Sequence, residues 1–564
     1  MLKLKTVGKK IDGFGIGLRS VADYSYKIGN NDQLNVEYRQ NGLDLFGTFQ
    51  YRLQHLKETG ETVQMTDVDT LWKQRTHSTD LGKNISYFGQ FGFNYEINKN
   101  HSFGATYELT SAPRDKMSND NRTEVYADHE LYDVWNTNAF SIEKTYPTHH
   151  SNFYYHGDIN SLEIDLNADV LVGKNKEEEN IKELSLNYDD LSMTTFSETS
   201  NKLYAGKLVL AYPLFKGRIS GGSEYSYIHR ISDFSGFGNQ ILGTSDKIRE
   251  RNLAFFLNCT WSLGGIDASA GLRYEDVKSD FYENSIYQSD ESKHYRNLFP
   301  SLSLKGSVGK VHWGLGYHIQ VARPYYEQLK NEIHYGNRFT YLGGTPNLQP
   351  TYIHTAEMRA AYRDLQLSVG YNRYNDDILF SIEQATSDPK ITLIKFRNVE
   401  HRDEMTASLV YSPGIGCWRP EWVASVQSQW FNIGYLDGTK NMNGITVGIR
   451  WNNSFQLPMG YIFRLNGTYT GKGVYQNSFT RPVSCFGVSI YKSFFNGRLD
   501  CTVEGNDLFH TVRDATTQYD NKVKIYRETQ RNTQEVKLTV HYKFNLQKSK
   551  YKGTGAGLDE QQRL

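Results

Sequence analysis

The chain has 564 residues, with 63 basic and 63 acidic side chains and a formal net charge of zero. This balance gives no general electrostatic attraction to nucleic acids or acidic lipids. No run approaches the 18 apolar residues of a helical membrane span, which excludes such spans. A transmembrane β-barrel stays open, because its strands keep only one face apolar. Aromatic residues make up 14% of the chain, a composition that favours strands over helices.

The first residues, MLKLKTVGKKIDGFGIG, carry positive charge but lack an apolar core of seven or more residues. A secretory signal peptide is therefore not predicted in this segment. Strand-like sequence begins at about residue 12 and continues to Phe544.

Strict alternation of apolar and polar side chains is the clearest pattern in this region. It occurs in LDLFGTFQYRL (43–53), SLEIDLNADVLVG (161–173), LQLSVGYNRY (365–374) and EVKLTVHYKF (535–544). Because successive strand side chains point to opposite faces, each segment has one apolar face and one face of charged and amide groups. About ten such residues are enough for a tilted strand to cross a bilayer.

The links between the predicted strands alternate between short and long. Short links with the Gly and Asn that tight hairpins need lie at 40–42, 98–100, 215–217, 263–265, 308–310, 363–364, 458–460 and 495–497. Long polar links are predicted at about 54–85, 111–150, 173–200, 233–248, 276–295, 324–353, 376–399 and 510–532. Outer-membrane barrels have short periplasmic turns and long extracellular loops. The sequence therefore predicts an all-β fold, a transmembrane antiparallel up-and-down barrel of about 22 strands.

Aromatic residues recur near the predicted strand ends. They include Tyr24, Tyr26, Tyr51, Tyr154, Tyr155, Tyr542 and Phe544. We interpret them as belts at the two membrane interfaces, in preference to ordinary strand propensity in a soluble sheet.

Two prolines and two glycines crowd the stretch GGTPNLQPTYIHTAEM (343–358). Pro346 and Pro350 withhold N–H donors, which suits an irregular loop and would damage a strand ladder. The pattern predicts that a long extracellular loop ends here. A strand then runs from about His354 to Tyr362, before a turn at residues 363–364.

Several polar clusters were weighed as metal or catalytic sites. Segments 118–130 and 174–180 and the pair His149–His150 are interpreted as solvated loop residues rather than metal ligands. Cys259, Cys417, Cys485 and Cys501 form no CxxC pair, so neither a zinc site nor a disulfide framework is predicted. No GxSxG, HExxH or phosphate-binding motif occurs in a fitting context. The sequence predicts no catalytic, cofactor-binding or metal-binding residue, and an enzyme is not the predicted class.

Four segments together resemble TonB-dependent outer-membrane receptors, most nearly the outer-membrane β-barrel proteins typical of Bacteroidetes. They are ARPYYEQL (322–329), residues 343–358, GNDLFHT (505–511) and the closing strand 535–544. The matching positions are Arg323, Pro324, Tyr326, Leu329, Gly344, Pro346, Leu348, Pro350, Glu357, Asn506, Asp507 and Phe509. Thr345 and Thr351 depart from the Asn and Glu of the family pattern. Phe544 resembles the terminal aromatic that assists membrane insertion, although a polar tail follows it.

The resemblance implies the barrel of a receptor or transporter in the outer membrane of a Gram-negative bacterium, without a cofactor. Family members carry a signal peptide and a plug domain, which fills the lumen and contacts a TonB-type energy-transducing complex. Neither is recognised here. Residues 1–11 are interpreted as a remnant of the plug-to-barrel junction, 12–544 as the barrel and 545–564 as a flexible periplasmic tail.

Two other functions stay open at this point. One is a structural or adhesin-like outer-membrane barrel that partners a surface lipoprotein. The other is an outer-membrane hydrolase, which the absence of any recognisable triad spacing disfavours. A barrel of about 22 strands is too wide for its own side chains to fill, so without a plug it is expected to leak. The sequence does not name a ligand, because loop conformation sets specificity.

Overall fold

A computed structural model describes residues 12–237, 243–546, 549 and 551–564. The residues interpreted as a plug remnant, 1–11, lie outside the described part. Within these residues the structure has thirty strands, one 3-10 turn at Pro458–Gly460 and a one-turn helix α1 at Leu558–Gln561. The first thirteen strands are β1 Gly13–Tyr24, β2 Ile28–Gln40, β3 Leu43–Asp67, β4 Leu71–Glu96, β5 His101–Ala127, β6 Glu130–Ile159, β7 Leu162–Leu184, β8 Leu191–Leu214, β9 Gly217–Phe237, β10 Thr244–Leu263, β11 Ile266–Glu283, β12 Ile286–Val308 and β13 Val311–Ala322.

The second half of the chain contains shorter strands and four small hairpins. Its strands are β14 Ile333–Asn337, β15 Thr340–Gly343, β16 Thr351–Tyr362, β17 Leu365–Gln384, β18 Thr392–Tyr411, β19 Trp418–Trp430, β20 Asn432–Tyr435, β21 Gly438–Asn441, β22 Gly444–Gln456, β23 Tyr461–Thr470, β24 Gly473–Tyr475, β25 Ser478–Thr480, β26 Val483–Phe494, β27 Leu499–Asn506, β28 Asp514–Asp520, β29 Val523–Arg531 and β30 Glu535–Phe544. Among the described residues, no helix has the length and apolar character needed to cross a membrane.

Twenty-two of these strands close into one antiparallel barrel, which confirms the predicted fold class. The remaining eight strands form the hairpins β14–β15, β20–β21, β24–β25 and β28–β29. The last strand pairs with the first, from Ile16 opposite Phe544 to Tyr24 opposite Val536. This pairing removes the open edges that a sheet would otherwise expose in a bilayer.

The two faces of each strand have the polarity that the alternation predicts. On β7, Leu166 and Val170 are 47% and 37% exposed on the outside, whereas Asn167 and Asp169 are buried on the inside. Leu253, Phe255 and Leu257 of β10 are likewise exposed, and Asn252, which precedes them on the opposite face, is buried. A bilayer covers such an outer apolar face, and the polar face lines the lumen.

Tight turns join the strands at one end of the barrel, the end where β1 begins and β30 ends. All eight predicted short links are found there, such as Asn41–Gly42 between β2 and β3 and Gly264–Gly265 between β10 and β11. These four residues have φ between 50° and 93°, which explains why Asn and Gly occupy them. This end is the periplasmic one in barrels with such turn asymmetry.

The predicted long links at 54–85, 111–150 and 173–200 are wrong as loops, because the strands continue through them. β3 to β10 have 20 to 30 residues each. A membrane crossing needs only about 9–11 residues. Pro113 and Pro147 interrupt the β5–β6 and β6–β7 ladders at shifts in register. Beyond these bulges pairing resumes, supported by polar cross-strand contacts such as Thr76 with Thr123 at 2.8 Å.

Some of the residues predicted for the aromatic belts face outward, and one does not. Tyr24, Tyr542 and Phe544 are 59%, 41% and 43% exposed on the outer face. Tyr154 is only 5% exposed and faces the lumen, while its neighbour Phe153 is 56% exposed. Because side chains alternate along a strand, two adjacent residues cannot both face lipid.

Candidate functional site in the barrel lumen

The connection between β13 and β16, residues 323–350, folds against the inner wall of the barrel, and we call it the inner segment. Asn331 donates its backbone N–H to the Asp246 carboxylate at 2.6 Å. Further along, the Tyr335 hydroxyl donates to Glu183 Oε1 at 2.9 Å. The loop predicted at 324–353 is therefore present, and wall carboxylates hold it inside the extracellular half of the lumen.

Most of the family-motif residues meet in this segment. Tyr326, Leu329 and Leu348 are buried in one apolar cluster with residues of the wall, including Leu203, Ile228, Ile248 and Phe281. Arg323 forms a buried ion pair with Glu275. Pro324, Pro346 and Pro350 border a small cavity in the same cluster. The two motifs, separated in sequence, therefore build one structural core inside the barrel.

Gly344 allows the two arms of the inner segment to approach closely. A Cβ at this position would lie 2.3 Å from the carbonyl oxygen of Lys330 and 2.8 Å from that of Gln328. Next to it, Thr345 N donates to Gln328 O at 2.7 Å. No side chain fits this contact without backbone movement.

We therefore expect Gly344→Ala to loosen the inner segment. Hydrogen exchange of the Thr345 and Leu348 amides should accelerate at least tenfold, because both N–H groups are bonded within the distorted loop. Gly434→Ala is the matched control, since a Cβ there meets nothing within 4 Å. Equal exchange in the two variants would contradict the proposed close contact.

The C-terminal residues lie inside the barrel, which differs from the periplasmic position expected for 545–564. Tyr551 packs edge-on against Tyr154 of the wall, with ring centroids 4.8 Å apart. The Thr554 and Gly555 N–H groups donate to Asn167 Oδ1 at 2.9 and 3.2 Å. Residues 551–563, which we call the lumenal tail, run along the polar inner wall toward the extracellular end.

Farther along the tail, two wall carboxylates accept backbone N–H groups. Ala556 N donates to Asp169 Oδ2 at 2.7 Å, and Gly557 N donates to Glu224 Oε1 at 2.9 Å. Glycines permit this approach, because a Cβ at Gly557 would lie 2.7 Å from Cβ of Ala205. The glycine content that predicted flexibility therefore serves close packing here.

Arg563 joins the lumenal tail to both the wall and the inner segment. Its guanidinium donates to Glu250 Oε1 and Oε2 at 2.5 and 3.2 Å, and its Nε donates to the Pro324 carbonyl at 2.9 Å. It also lies 4.3 Å from the ring centroid of Tyr326, whose hydroxyl donates to Glu250 at 3.0 Å. All three side chains are buried, so the charge is balanced by this single carboxylate contact.

Burial and charge act on the ionisation of the two loop partners in this cluster. Burial raises the pKa of Tyr326 well above its ordinary value, although the Arg563 charge opposes the rise. Burial alone would lower the pKa of Arg563, but the Glu250 carboxylate outweighs it and the pKa is raised. Tyr326 therefore stays a neutral donor and Arg563 a cation.

An aromatic pocket of about 390 Å³ lies at the outer edge of the inner segment. Its lining includes Tyr188, Tyr335, Phe339 and Tyr341. Arg338 lies over the Tyr188 ring at 5.1 Å. Burial raises the pKa of the Tyr341 hydroxyl, which keeps it a neutral hydrogen-bond donor. Ring faces and phenol donors of this kind suit a ligand with flat rings and hydrogen-bond acceptors.

A second cavity, of about 1110 Å³, occupies the periplasmic end of the lumen. Polar side chains from several strands line it, among them Asp267, Ser303, Lys305 and Glu357. Glu357 lies in the wall of this cavity and pairs with Arg359 at 2.8 Å. It therefore does not join the motif residues of the inner segment. We call this space the lower cavity.

The remaining motif residues have local structural roles. Asp507 is buried after β27 and accepts hydrogen bonds from Thr511 N at 2.8 Å and Thr533 Oγ1 at 2.5 Å. Asn506 donates to Glu504 at 2.8 Å, and Phe509 is 69% exposed. These residues lie at an extracellular loop and do not join the lumenal cluster.

The two departures from the family pattern also make hydrogen bonds. Thr345 Oγ1 donates to the Phe396 carbonyl at 2.7 Å, and Thr351 Oγ1 donates to the Asp376 carbonyl at 2.9 Å. Thr345 therefore ties the inner segment to the β17–β18 hairpin, and Thr351 ties the start of β16 to the same hairpin.

The polar segments considered as metal ligands in the sequence lie mainly on β5, β6 and β7. His149 contacts Tyr107 at 2.6 Å and His150 contacts Asp169 at 2.8 Å, so each has its own partner. Segments 118–130 and 174–180 belong largely to β5 and β7. Within the described residues, the three potential ligands close enough to share an ion are His156, Glu163 and Asp165. The four cysteines are free thiols.

A sequence model for the outer membrane protein beta-barrel family matches residues 157–542, more than half of the chain. The chain belongs to this family. The protein is accordingly an outer-membrane β-barrel, as the orientation of its apolar face requires. No curated protein sequence matches it.

Solved structures of outer-membrane receptors and transporters share the fold of this family member. The copper transporter OprC aligns with a TM-score of 0.61 at 12% identity, covering 95% of this chain and 81% of that protein. The FrpB iron transporter of Neisseria meningitidis aligns with a TM-score of 0.58 at 11% identity, covering 95% and 82%. The siderophore receptor PirA of Pseudomonas aeruginosa aligns with a TM-score of 0.52 at 12% identity, covering 95% and 81%. At these identities the likeness shows the fold alone.

Glu250, Arg563 and the aromatic pocket of this β-barrel protein were not predicted from the sequence. Glu250 stands in DKIRERNLAF (246–255), where charged residues are consecutive and occupy both faces of the strand, so alternation does not mark Glu250 as facing the lumen. Arg563 looked like one of many charges in a polar tail. One available signal was Gly553, Gly555 and Gly557, whose spacing of two suits an extended chain that approaches a wall closely.

Proposed function

We propose that this protein is the barrel of a TonB-dependent receptor, of the type found in Bacteroidetes, that captures a ligand outside the cell and takes it up as a nutrient. The observation that supports this best is the closed barrel of 22 strands with an aromatic pocket above a polar lumen. Barrels of this width serve as plugged transporters in the outer membrane. In this proposal a plug domain from outside these 564 residues would fill the lumen and contact the TonB-type complex.

The ligand class follows from the aromatic pocket. Tyr335, Phe339 and Tyr341 offer ring faces, and the Arg338 guanidinium lies beside them with Glu183 at 2.7 Å. Since the ion pair balances the local charge, the pocket favours a ring-bearing polar ligand over a bare metal ion. A metal chelate with aromatic arms and a glycan both have this chemistry.

Uptake in living cells provides the test of the proposal. Strains carrying the wild-type gene, Tyr341→Ala or the exposed control Tyr325→Ala would be given a panel of labelled ferric chelates and oligosaccharides. We expect one compound to accumulate in wild-type cells, at least tenfold less in Tyr341→Ala, and not at all after a protonophore collapses the energy supply. Accumulation that persists without energy, or no accumulation of any compound, would contradict the proposal.

A second candidate is a barrel that partners a surface lipoprotein. The uneven height of the barrel favours it, because β3 to β10 reach 20 to 30 residues while β26, β27 and β30 have 12, 8 and 10. This one-sided wall offers a surface for another protein above the membrane. Purification of the native protein from outer membranes would distinguish the two. A stoichiometric lipoprotein supports the second function, and a plug-bearing polypeptide supports the first.

A further inference from the structure

The lumenal tail lies in a groove that has the properties of a peptide-binding site. Four wall residues from three strands face it with acceptors or amides: Asn167 and Asp169 of β7, Glu224 of β9 and Asn252 of β10. Three of them bind backbone N–H groups, which every peptide possesses whatever its side chains. At the far end Glu250 binds a guanidinium with both oxygens.

The groove combines two kinds of recognition. Backbone contacts to Asn167, Asp169 and Glu224 hold a chain of small residues against the wall. The Glu250 carboxylate, buried together with the Tyr326 ring, then selects an arginine, because only its planar fork matches both carboxylate oxygens and stacks on an aromatic face. The selection is therefore for a Gly-rich segment followed, after the single turn of α1, by an arginine.

We propose that this groove is a binding site for a peptide in which a Gly-rich segment leads into one helical turn followed by an arginine, and that residues 551–563 of the chain are its resident occupant. The strand ladder ends at Phe544, so the occupant is not part of the closed barrel. Its release breaks side-chain contacts and leaves every pairing of barrel strands intact. The inference does not depend on energised uptake, since it concerns only what the groove binds.

The test uses the barrel lacking residues 549–564 and a fluorescent synthetic peptide of residues 549–564. Anisotropy in detergent should show saturable binding of one peptide per barrel. The Arg563→Ala peptide should bind at least tenfold more weakly, while Gln562→Ala, changed at an exposed position, should bind like the natural sequence. In the barrel, Glu250→Gln should weaken binding, and Glu357→Gln, a lower-cavity residue, should leave it unchanged. No saturable binding, or equal binding of the Arg563→Ala peptide, overturns the proposal.

A second measurement uses the full chain, in case the shortened barrel does not fold. Gly557→Cys and Ser226→Cys would be combined with Ala205→Gly and with serine at the four native cysteines. A Cβ at Gly557 lies 3.6 Å from Cβ of Ser226, within the range of a disulfide, and Ala205 is trimmed because its Cβ would lie at 2.7 Å. Mild oxidation should link the two positions in most molecules, whereas Gly557→Cys paired with Ser303→Cys should stay unlinked. Absence of the first link places the tail elsewhere and overturns the proposal.

Discussion

Replacing Glu250 with alanine is expected to release the lumenal tail from the barrel wall. The change leaves the buried Arg563 guanidinium without its carboxylate, and removing one member of a buried pair typically costs about 3–5 kcal/mol. The amides of Ala556 and Gly557 should then exchange with solvent several hundred times faster, because their protection depends on the docked tail. Hydrogen exchange with mass spectrometry of the C-terminal peptide measures this directly.

A double-mutant cycle separates the ion pair from other effects of the substitution. Arg563→Ala should also release the tail. The double variant should lose less docking free energy of the tail than the two single variants lose in sum, because each single change leaves one buried charge unpaired. Gln562→Ala serves as the control on the same turn, since its side chain is exposed. Strict additivity would mean that Glu250 and Arg563 do not stabilise each other.

The second large effect is expected at the lipid-facing surface. Leu302 of β12 is 57% exposed on the outer face, six residues before the strand ends at Val308. Leu302→Arg should lower the free energy of unfolding in phospholipid vesicles by about 2–4 kcal/mol, because a guanidinium near the bilayer midplane loses its hydration. Reversible denaturant titration of the refolded protein in vesicles provides the measurement.

The adjacent residue supplies a matched control for this substitution. Ser303 belongs to the same strand but lines the lower cavity, so Ser303→Arg places the same charge in a polar lumen. We expect a change of less than about 1 kcal/mol there, in the range of ordinary surface substitutions. If both variants lost similar stability, the assignment of the two faces to lipid and lumen would be incorrect.

The occupied lumen has a consequence for the proposed receptor. A plug domain that entered from the periplasmic end would meet the lower cavity first and then the wall that holds the lumenal tail. The acceptors Asp169, Glu224 and Glu250 cannot bind the tail and a plug at once. A plug in this position would therefore compete with the lumenal tail for one surface.

Prediction from the sequence succeeded where the information is local. Alternation in 161–173 and 535–544 assigned the apolar face, and Gly and Asn placed the turns. It failed where polar side chains lie on both faces of a strand, as in the extensions of β5 and β6. There the backbone hydrogen bonds between strands and the polar cross-strand pairs keep the chain extended. Neither produces an alternation of apolar and polar residues in the sequence. Pro113 and Pro147 lie within the predicted long link 111–150, and in the structure they lie at register shifts of the strand ladders.

By itself the sequence determined the closed barrel, its strand number and the loop character of residues 344–350, because strand period and turn chemistry act between neighbours in the chain. Only the tertiary structure decided that the tail lies in the lumen and that Glu250 meets Arg563. These two residues are 313 positions apart. Which of many lumen-facing carboxylates an arginine binds depends on the curvature of the closed wall, and that curvature exists only once the last strand has paired with the first.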